Sequence, residues 1–535
     1  MDWTFADVWE IVAEVLPDAP AQVQGDRRLT WSAFDRRADG VATTLLGAGL
    51  ARQDKVAQYL HNCPEYLESV AAAFKAGLVP VNTNYRYLDD ELVYVWDNSD
   101  TIAVVFHGAF ADTVERIRPR VPRVRLWLHV DDGTGPCPAW ALPYEEAAAT
   151  GGQHVRGPWG RTGDDLYLLY TGGTTGAPKG VMWRQEDLFL TANRTQRVKY
   201  PLDATPEKIA ALLTKPGPRH VPVCPLMHGI GSVTSFQAMS SGGCIVTLPG
   251  RRYDAVDLLD TIERDQVSTI ALVGDVMTRP LLEVLDAEPG RWDLSSLRMI
   301  SSSGAMWSAS VKEGLLRHSE RLILIDTLGS SESIGMASAL TTSAGTNQTA
   351  RFQIGADTRV VTDDGRFVEP GSGEEGMLAK RGNTSIGYYK DATKTDTSYR
   401  TIGGERWIVP GDMATVETDG TIVLLGRGSG CINTGGEKVF PEEVEEALKQ
   451  HPAVRDAAVV GVPDERFGEA IVAVIEPEDG ARPDPDELVA HVKANLAAYK
   501  APKRVLVVPA LDRAVTGKTD YKRWKAYATD AVTTT

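Results

Sequence analysis

One segment rich in glycine and hydroxyl side chains, residues 170–180, constrains this 535-residue chain more than any other. It reads Tyr-Thr-Gly-Gly-Thr-Thr-Gly-Ala-Pro-Lys-Gly, with four glycines, four hydroxyl side chains and Lys179. Glycine lets the backbone turn tightly and approach a ligand, and successive amides in such a turn form an anion-binding concavity. The apolar residues 165–170 before it predict a buried strand. This combination predicts a phosphate-binding loop in preference to a plain surface loop.

The segment is not the common P-loop, which has Gly directly before Lys and Ser or Thr directly after it. Here Pro178 precedes Lys179 and Gly180 follows it. The formal net charge of −16 argues against nonspecific binding to nucleic acid or to an anionic membrane surface. An anionic substrate therefore needs a local cluster of Lys, Arg and backbone donors.

Length and composition predict a multidomain cytoplasmic protein. A chain of 535 residues with 43% hydrophobic and 24% charged residues is too long for one ordinary core, so we expect at least two domains. The acidic N-terminal segment lacks a basic n-region, and no apolar run approaches the ~20 residues of a membrane span. The cysteines are widely spaced, which predicts reduced thiols and no zinc site. They are Cys63, Cys137, Cys224, Cys244 and Cys431.

The distribution of apolar runs predicts an α/β fold with two domains. Strand-like runs alternate with helical stretches through most of the chain, which predicts layered, largely parallel sheets. Pro64–Ala76 is one predicted helix, and a proline suited to a first turn predicts another that begins at Pro441. Residues 355–423 are richer in short strands and glycine turns, so a β-rich subdomain is expected there. We predict an N-terminal domain over residues 1–425, a glycine-rich hinge over 426–430 and a small, mobile α+β domain over 431–535.

Several polar residues follow predicted strands and have two readings each. Glu332 could hold Mg²⁺ near a phosphate, or could lie in the first turn of a helix. Asp412 could accept bonds from ribose hydroxyls, or could simply stabilise a turn. His228 is either catalytic or, as a lone histidine more often is, structural. Lys518 is either a solvated lysine or a long cation that reaches a distant phosphate.

Taken together, these segments resemble the adenylate-forming superfamily, which contains acyl-CoA synthetases, adenylation domains and luciferases. The resemblance covers the chain from about Thr30 to Lys518. It is closest to actinobacterial fatty-acid and steroid side-chain CoA ligases, through residues 170–184, 274–280, 387–390 and 432–438. The family segments occur in order at residues 170–180, 225–229, 328–332, 410–412, 426–427 and 516–518.

The resemblance implies an acid–thiol ligase that uses ATP, Mg²⁺ and coenzyme A. A bulky, apolar acid of polycyclic, terpenoid or steroid type would react with ATP to form an acyl-adenylate, and the CoA thiol would then take the acyl group. Rotation of the small domain at the glycine-rich hinge would alternate the two steps. The partners are thus the acid or its adenylate and CoA, without nucleic acid or a membrane span, and a homodimer is left open.

The resemblance also implies a role for each matching residue. The ATP phosphates would be held by the residues of the glycine-rich segment, which are Thr171, Gly172, Gly173, Thr174, Thr175, Gly176 and Lys179. Glu332 would bind Mg²⁺, with Ser331 near the α-phosphate. The adenine pocket would be lined by Ser303, Gly304, Ala305, Asp326, Thr327, Leu328 and Gly329.

The remaining implied roles belong to the ribose, the acid and CoA. Asp412 and Arg427 would bind the ribose hydroxyls. Lys518 would bridge the substrate carboxylate and the α-phosphate, and His228 would lie beside the acyl pocket. Gly435 and Gly436 would pass along the pantetheine arm of CoA.

Five positions depart from the family pattern and leave other activities open. Gly430 stands where the family has Asp, Asn433 where it has Lys, Leu328 where it has an aromatic residue and Ser331 where it has Thr; no proline precedes Gly517. These changes leave open an enzyme specialised for one half-reaction, either thioester formation from a preformed adenylate or adenylation for a separate carrier protein. A luciferase-like oxygenase and a non-catalytic nucleotide- or acyl-binding protein are the further alternatives.

Overall fold

The computed structural model describes residues 3–173, 176–345, 349–427, 430–434, 437–464, 468–513 and 519–533. The helices are α1 Phe5–Val15, α2 Trp31–Gly47, α3 Pro64–Ala76, α4 Asp89–Asn98, α5 Ala111–Ile117, α6 Tyr144–Ala148, α7 Gln185–Asn193, α8 Pro206–Leu212, α9 Gly229–Ser240, α10 Ala255–Arg264, α11 Gly274–Ala287, α12 Ala309–His318, α13 Ala392–Ser398, α14 Pro441–Lys449, α15 Pro485–Asn495 and α16 Tyr521–Thr533. Short 3-10 turns cover Gly108–Phe110, Arg118–Arg120 and Ala498–Lys500.

The first strands of the chain are β1 Pro20–Gln24, β2 Arg27–Thr30, β3 Lys55–Tyr59, β4 Val79–Asn82, β5 Thr101–His107, β6 Leu126–Val130, β7 Leu142–Pro143, β8 Leu166–Gly173, β9 Gly176–Arg184, β10 Arg219–Pro222, β11 Cys244–Thr247, β12 Thr269–Leu272, β13 Met299–Ser302 and β14 Ile323–Leu328. The later strands are β15 Ala337–Thr341, β16 Arg351–Ile354, β17 Thr358–Val361, β18 Gly376–Lys380, β19 Gly387–Tyr388, β20 Tyr399–Ile402, β21 Glu405–Ile408, β22 Asp412–Val416, β23 Ile422–Arg427, β24 Ile432–Thr434, β25 Glu437–Val439, β26 Val454–Asp464, β27 Gly468–Pro477 and β28 Arg504–Val507.

Two large sheets build the N-terminal part, as the α/β prediction requires. One has the order β19-β9-β8-β4-β3-β5-β6-β7, and its strands from β8 to β7 run parallel. The other is parallel from β1 through β11, β10, β12 and β13 to β14, and then continues antiparallel from β15 to β20. The antiparallel part is the predicted β-rich subdomain, so the α/β architecture with layered sheets is confirmed.

Buried apolar helices pack between and outside these sheets. Helix α3 begins with Pro64 at its first turn and ends at Gly77, whose φ of +69° is the left-handed conformation that suits a helix end. All thirteen residues of α3 are buried, because the helix lies within the core formed with α1, α2 and α9. This covered core leaves the carboxyl ends of the parallel strands as the place where ligands can approach the sheets.

The C-terminal part forms its own five-stranded sheet from β24 to β28. Strands β26 and β27 pair antiparallel along their length, and α14 and α16 pack on them. Helix α14 begins with Pro441 in its first turn, as the sequence predicts, and Glu443 accepts a hydrogen bond from the backbone of Phe440. The predicted small α+β unit is therefore confirmed.

Two local expectations need correction. Asp412 opens β22 rather than sitting in a turn, because it pairs across the sheet with Arg427. The helical reading of Glu332 is wrong, since residues 329–336 connect β14 to β15 without a helix.

Strand β23 also continues to Arg427, so the predicted hinge begins inside a strand of the large sheet. Gly426 has a φ of +131°, and a side chain there would meet the Glu442 carboxylate of α14 at 2.2 Å. The positive φ favours glycine at this position, whereas the Glu442 carboxylate is the flexible end of a side chain and can move aside. Gly430, by contrast, is exposed and has open space around its Cα.

Candidate nucleotide and acid cleft

The glycine-rich segment folds as a β-hairpin instead of an open loop. Strands β8 and β9 pair antiparallel, with Thr171 opposite Lys179 and Tyr170 opposite Gly180. A side chain at Gly180 would lie 2.7 Å from the Tyr170 ring, so glycine is required there for the pairing. Thr174 and Thr175 lie outside the described residues. The hairpin thus presents Thr171 and Lys179 side by side near its tip.

The side chain of Asn82, at the end of β4, connects this hairpin to the segment just before α9. Its side-chain amide donates to the backbone oxygens of Tyr170, at 2.9 Å, and Met227, at 2.6 Å. Its Oδ1 accepts a hydrogen bond from the backbone nitrogen of Tyr170 at 2.5 Å. Because Met227 immediately precedes His228, one buried asparagine fixes the hairpin relative to the start of α9.

Glu332 lies opposite the hairpin on a loop held from several sides. The Tyr388 hydroxyl donates to Glu332 Oε1 at 2.7 Å, and the Trp183 indole nitrogen donates to the backbone oxygen of Ser331 at 2.8 Å. The Ser385 hydroxyl donates to the backbone oxygen of Glu332 at 2.7 Å. Since β19, which carries Tyr388, pairs with β9, the hairpin and the Glu332 loop are parts of one framework.

Two lysines contribute to the same end of the site. Lys179 Nζ lies 3.1 Å from Asp391 Oδ2 and 5.8 Å from the centre of the Tyr388 ring. Lys380 donates to the backbone oxygens of Ile334 and Gly335, and burial lowers the pKa of its ammonium to about 8. Lys380 thus fixes the loop, whereas half-buried Lys179 lies at the cleft.

Burial raises the pKa values of two groups at the cleft, the Asp326 carboxyl and the Tyr388 hydroxyl. Burial raises the pKa of the Asp326 carboxyl to about 6, and the ammonium of Lys312, 3.2 Å away, only partly offsets this effect. Burial also raises the pKa of the Tyr388 hydroxyl, and the nearby Glu332 carboxylate adds to the shift. Tyr388 therefore remains a protonated donor toward Glu332 at neutral pH.

A cleft of about 1710 Å³ brings most of the predicted residues together. This volume exceeds the usual 300–1,000 Å³ of a small-molecule site, so it has room for a nucleotide and a second ligand. The sequence-predicted residues that line it are Thr171, Lys179, His228, Ser303, Gly304, Ala305, Asp326, Thr327, Leu328, Gly329, Ser331, Glu332 and Asp412.

Other predicted positions are placed by the backbone alone or lie beyond the description. Gly172, Gly173 and Gly176 belong to β8 and β9, and the backbone of Arg427 pairs with Asp412. Gly435, Gly436 and Lys518 lie outside the described residues. Arg513 and Thr519, on either side of the segment that contains Lys518, line the cleft.

Sequence reasoning assigned no role to Tyr388, Lys380 or Asn82. Tyr388 lies more than fifty residues after Glu332, so spacing alone gave no reason to connect the two. The Gly-Tyr-Tyr-Lys run at residues 387–390 was a usable signal, because it marks a short strand next to the site. Among the described residues, no cluster of three or more metal-ligating side chains occurs, and no helix has the length and apolarity needed to cross a membrane.

The family is established by comparison with known proteins. Residues 9–389 match the family model of the AMP-binding enzymes, and residues 443–518 match the model of the AMP-binding enzyme C-terminal domain. The chain therefore belongs to the AMP-binding enzyme family, as the resemblance predicted.

Two relatives and two solved structures illustrate the similarity. A medium/long-chain-fatty-acid–CoA/3-oxocholest-4-en-26-oate–CoA ligase of Mycobacterium tuberculosis is 40% identical, over 98% of this chain and 96% of its own. A 3-oxocholest-4-en-26-oate–CoA ligase of Rhodococcus rhodochrous is 40% identical, over 98% and 95%. The anthranilate CoA ligase AuaEII with anthranoyl-AMP and ATP-bound MatB from Rhodopseudomonas palustris share the fold at 23% identity, with TM-scores of 0.85 and 0.82. The matches cover 100% of this chain and 98% of AuaEII, and 99% of this chain and 100% of MatB.

Proposed function

We propose that this protein is an AMP-forming acyl-CoA ligase that activates a bulky, apolar carboxylic acid and transfers it to coenzyme A. The observation that carries the proposal is the cleft in which Thr171, Lys179, Glu332 and Asp412 meet. The ligase names of the two relatives, and the steroid acid in those names, support the reaction and the substrate class.

Different parts of the cleft offer different chemical groups to the parts of the nucleotide. Thr171 and Lys179 supply a hydroxyl and a cation for the β- and γ-phosphates, together with Thr174, Thr175 and the hairpin glycines. Asp326, Thr327, Leu328 and Gly329 border the adenine region with Ser303, Gly304 and Ala305, while Ser331 approaches the α-phosphate. Asp412 accepts hydrogen bonds from the ribose hydroxyls, and Arg427 donates hydrogen bonds to them. Because Leu328 is aliphatic, it contacts the adenine by packing rather than by aromatic stacking.

Glu332 fits a Mg²⁺ ion held jointly with the nucleotide. Mg²⁺ commonly binds one or two carboxylates together with substrate phosphates, and it does not need a cage of protein ligands. A single carboxylate on a fixed loop matches that requirement, with Tyr388 orienting one of its oxygens. When bound there, Mg²⁺ offsets the repulsion between the substrate carboxylate and the phosphates.

The acid and CoA would use the remaining part of the cleft. His228 immediately precedes α9 and borders the acyl region. Lys518 supplies the cation at the reacting carboxylate, and the lining residues Arg513 and Thr519 flank its segment. Gly435 and Gly436 contact the pantetheine arm after the domain over residues 431–535 rotates about residues 426–430.

Two assays test the function in separate steps. With ATP, Mg²⁺ and a panel of acids, we expect pyrophosphate release; with synthetic acyl-adenylate and CoA, we expect thioester. Pyrophosphate without thioester would replace the proposal by adenylation for a carrier protein. Thioester from the adenylate alone would show a thioesterification enzyme, and neither product would show a binding protein.

Lys518→Ala tests the assignment of the reacting cation. We expect pyrophosphate release to fall by about 100-fold or more, because a charge at the reacting carboxylate contributes several kcal/mol. Thioester formation from preformed adenylate should stay within about threefold. The exposed Lys522→Ala is the matched control. Equal loss of both steps would contradict the assignment.

The cellular location and the oligomeric state of the protein can be tested separately. Four of the five cysteines, Cys63, Cys137, Cys224 and Cys244, form no disulfide among the described residues, which supports a cytoplasmic location. Fractionation of the source cells checks this location. Light scattering of the purified chain would decide between a monomer and a homodimer.

A further inference from the structure

The turn that follows β19 brings a carboxylate, Asp391, to the lysine of the hairpin. Asp391 Oδ2 lies 3.1 Å from Lys179 Nζ. The backbone nitrogen of Tyr389 donates to the backbone oxygen of Gly180 at 2.8 Å. Two residues later, the backbone nitrogen of Asp391 donates to the backbone oxygen of Tyr388 at 3.2 Å. The turn is thus bonded to the residue directly after Lys179, and the backbone itself places the two side chains together.

The backbone of this turn is held in an uncommon conformation. Lys390, the residue before Asp391, has a φ of +56°. A residue with a Cβ adopts this left-handed region only at a cost, so the surrounding structure holds it there. One such contact is between Lys390 Nζ and Asp100 Oδ2, at 2.7 Å, which ties the turn to the residue before β5. Asp391 is therefore presented to Lys179 by a fixed turn.

The two carboxylate oxygens of Asp391 have separate partners. Oδ1 accepts a hydrogen bond from the backbone nitrogen of Lys394 at 2.9 Å and so caps the start of α13. Oδ2 faces the ammonium of Lys179. The bond from the Lys394 nitrogen and the bond from Lys179 both lower the pKa of the Asp391 carboxyl, which is therefore an anion at neutral pH. Because Lys179 lines the cleft, Oδ2 is the oxygen that affects ligand binding there.

A phosphate group bound by Lys179 would compete with Asp391 for the same ammonium, because two anions beside one unit charge repel each other. A ligand binds with full affinity only to the fraction of molecules in which its protein partner is free, so the ion pair lowers the apparent affinity for the phosphate. The side chains of Lys179 and Asp391 are 36% and 34% exposed, so water can replace either contact and the exchange is reversible. An ion pair with this exposure changes an equilibrium constant by up to about fivefold.

We propose that Asp391 is a positioning residue that competes with the β- and γ-phosphates for Lys179, and that it thereby lowers the affinity of the site for ATP and, after the acid has reacted, for pyrophosphate. The inference rests on the proposed ligase function and adds to it a residue that promotes release of the leaving group. AMP carries neither of these phosphates, so Asp391 affects the binding of the two polyphosphates and leaves the binding of the adenylate unchanged. The adenylate therefore stays bound while pyrophosphate departs.

Asp391→Asn separates the ion pair from the helix cap. Asparagine caps a helix as well as aspartate does, so α13 keeps its first turn while the negative charge beside Lys179 is removed. In calorimetric titration of the intact protein, MgATP and magnesium pyrophosphate should each bind about three- to fivefold more tightly than to the wild type. The affinity for AMP should change by less than about 1.5-fold, since AMP does not reach Lys179. Unchanged or weaker binding of MgATP would overturn the proposal, because Asp391 would then not compete for Lys179.

Two further variants test whether the effect passes through Lys179. In a Lys179→Met background, Asp391→Asn should change MgATP binding by less than about twofold, because no ammonium remains to be released. A gain as large as in the wild-type background would show that the carboxylate repels phosphate directly, and the competition would be refuted. Asp396→Asn is the matched control, since exposed Asp396 lies on the same helix and does not line the cleft. An equal gain in this control would assign the effect to net charge and overturn the role of Asp391.

Turnover provides a second measurement and separates this inference from the ligase function. In Asp391→Asn, the KM for MgATP and the inhibition constant of pyrophosphate should both fall by about three- to fivefold, while the KM for the acid stays the same. If no acid releases pyrophosphate but both polyphosphates bind more tightly to the variant, the ligase proposal fails and the competition stands. If the wild type releases pyrophosphate and the variant shows no gain, the ligase proposal stands and the competition is wrong. A wild type that binds neither MgATP nor pyrophosphate would refute both.

Discussion

At the scale of single residues, Tyr388 determines how Glu332 is presented to the cleft. Its hydroxyl is 2.7 Å from Glu332 Oε1, and its strand is hydrogen-bonded to the hairpin that carries Lys179. A residue that orients a metal-binding carboxylate typically changes affinity or activity by 10–100-fold when it is lost. The tyrosine is therefore a positioning residue for the proposed nucleotide site.

Tyr388→Phe removes only this hydroxyl and keeps the ring. We expect pyrophosphate release to fall by about tenfold at limiting Mg²⁺ and to recover in part at high Mg²⁺. The measurement is initial rate against Mg²⁺ concentration. Tyr389→Phe is the control, since the Tyr389 hydroxyl bonds to Asp100 instead. An unchanged Mg²⁺ dependence in Tyr388→Phe would contradict the positioning role.

His220 makes the stability of the protein depend on pH. Burial lowers the pKa of its imidazole from 6.5 to about 4, and its ring nitrogens contact the hydroxyls of Thr234 and Thr269. Between these two pH values the unfolded chain binds a proton that the folded protein does not. The contribution of His220 to the free energy of unfolding is therefore complete above pH 6.5 and is lost as the pH falls toward 4.

His220→Asn should reduce this pH dependence by about 3 kcal/mol between pH 7 and pH 4. Urea unfolding, followed by tryptophan fluorescence at both pH values, measures it. His61 and His107, whose pKa values burial also lowers to about 4, give the wild type a remaining loss at acid pH. Equal pH dependence in the variant and the wild type would refute the assignment.

At the scale of secondary structure, the junction at Asn82 holds β4, β8 and the start of α9 together. Its three hydrogen bonds go to backbone groups of Tyr170 and Met227 that are buried with it. Removing the side chain would leave those groups unpaired, which is more costly than losing the bonds alone. The positions of Thr171 and His228 therefore depend on one amide.

Asn82→Ala should lower the free energy of unfolding by roughly 3 kcal/mol and raise the KM for ATP. Chemical unfolding and initial rates measure the two effects. Asn495→Ala serves as the control, because the exposed Asn495 donates a local hydrogen bond to the backbone oxygen of His491 and does not line the cleft. If the variant is destabilised but its KM for ATP is unchanged, Asn82 stabilises the fold without positioning the nucleotide site, and this part of the prediction is wrong.

The sequence predicts elements well where a local pattern suffices. The bounds of α3 and the start of α14 follow from proline at the first turn and from the apolar spacing. The hairpin at residues 170–180 looked like a loop, because glycine content indicates close backbone approach but does not distinguish a turn from paired strands. Asp412 and Glu332 line the cleft, but the sequence did not predict their local structures, since pairing with β23 and bonding to Tyr388 depend on distant residues.

At the scale of the whole molecule, ion pairs hold the C-terminal unit against α11. Arg455 lies 2.9 Å from Glu283, and Arg279 lies 3.4 Å from Glu478. Each pair is partly exposed, so each contributes at most about 1 kcal/mol. Such contacts can bias the arrangement of the domains without preventing the proposed rotation.

Arg455→Glu should lower pyrophosphate release by two- to fivefold and leave thioester formation from preformed adenylate unchanged or faster. It replaces an attraction of about 1 kcal/mol by a repulsion in an arrangement that we assign to adenylation, because Arg513 and Thr519, which flank the segment of Lys518, line the cleft here. Combining it with Glu283→Arg should restore the rate in part. If the double variant is as slow as the single one, the pair does not set the balance between the two steps.

Because the rise per residue of α9 is fixed, the length of this helix, which lines the cleft from Gly229 to Ala238, sets the distance between the two ends of the cleft. One end adjoins the groups that would carry out the chemistry, whereas the other end, three turns away, carries only the side chains that would recognise the tail of the acid. Substrate choice could then be changed at the distal turns by engineering or by natural variation while the reacting end stays intact. A helix lengthened by one turn would shift the accepted acid by a fixed increment of length.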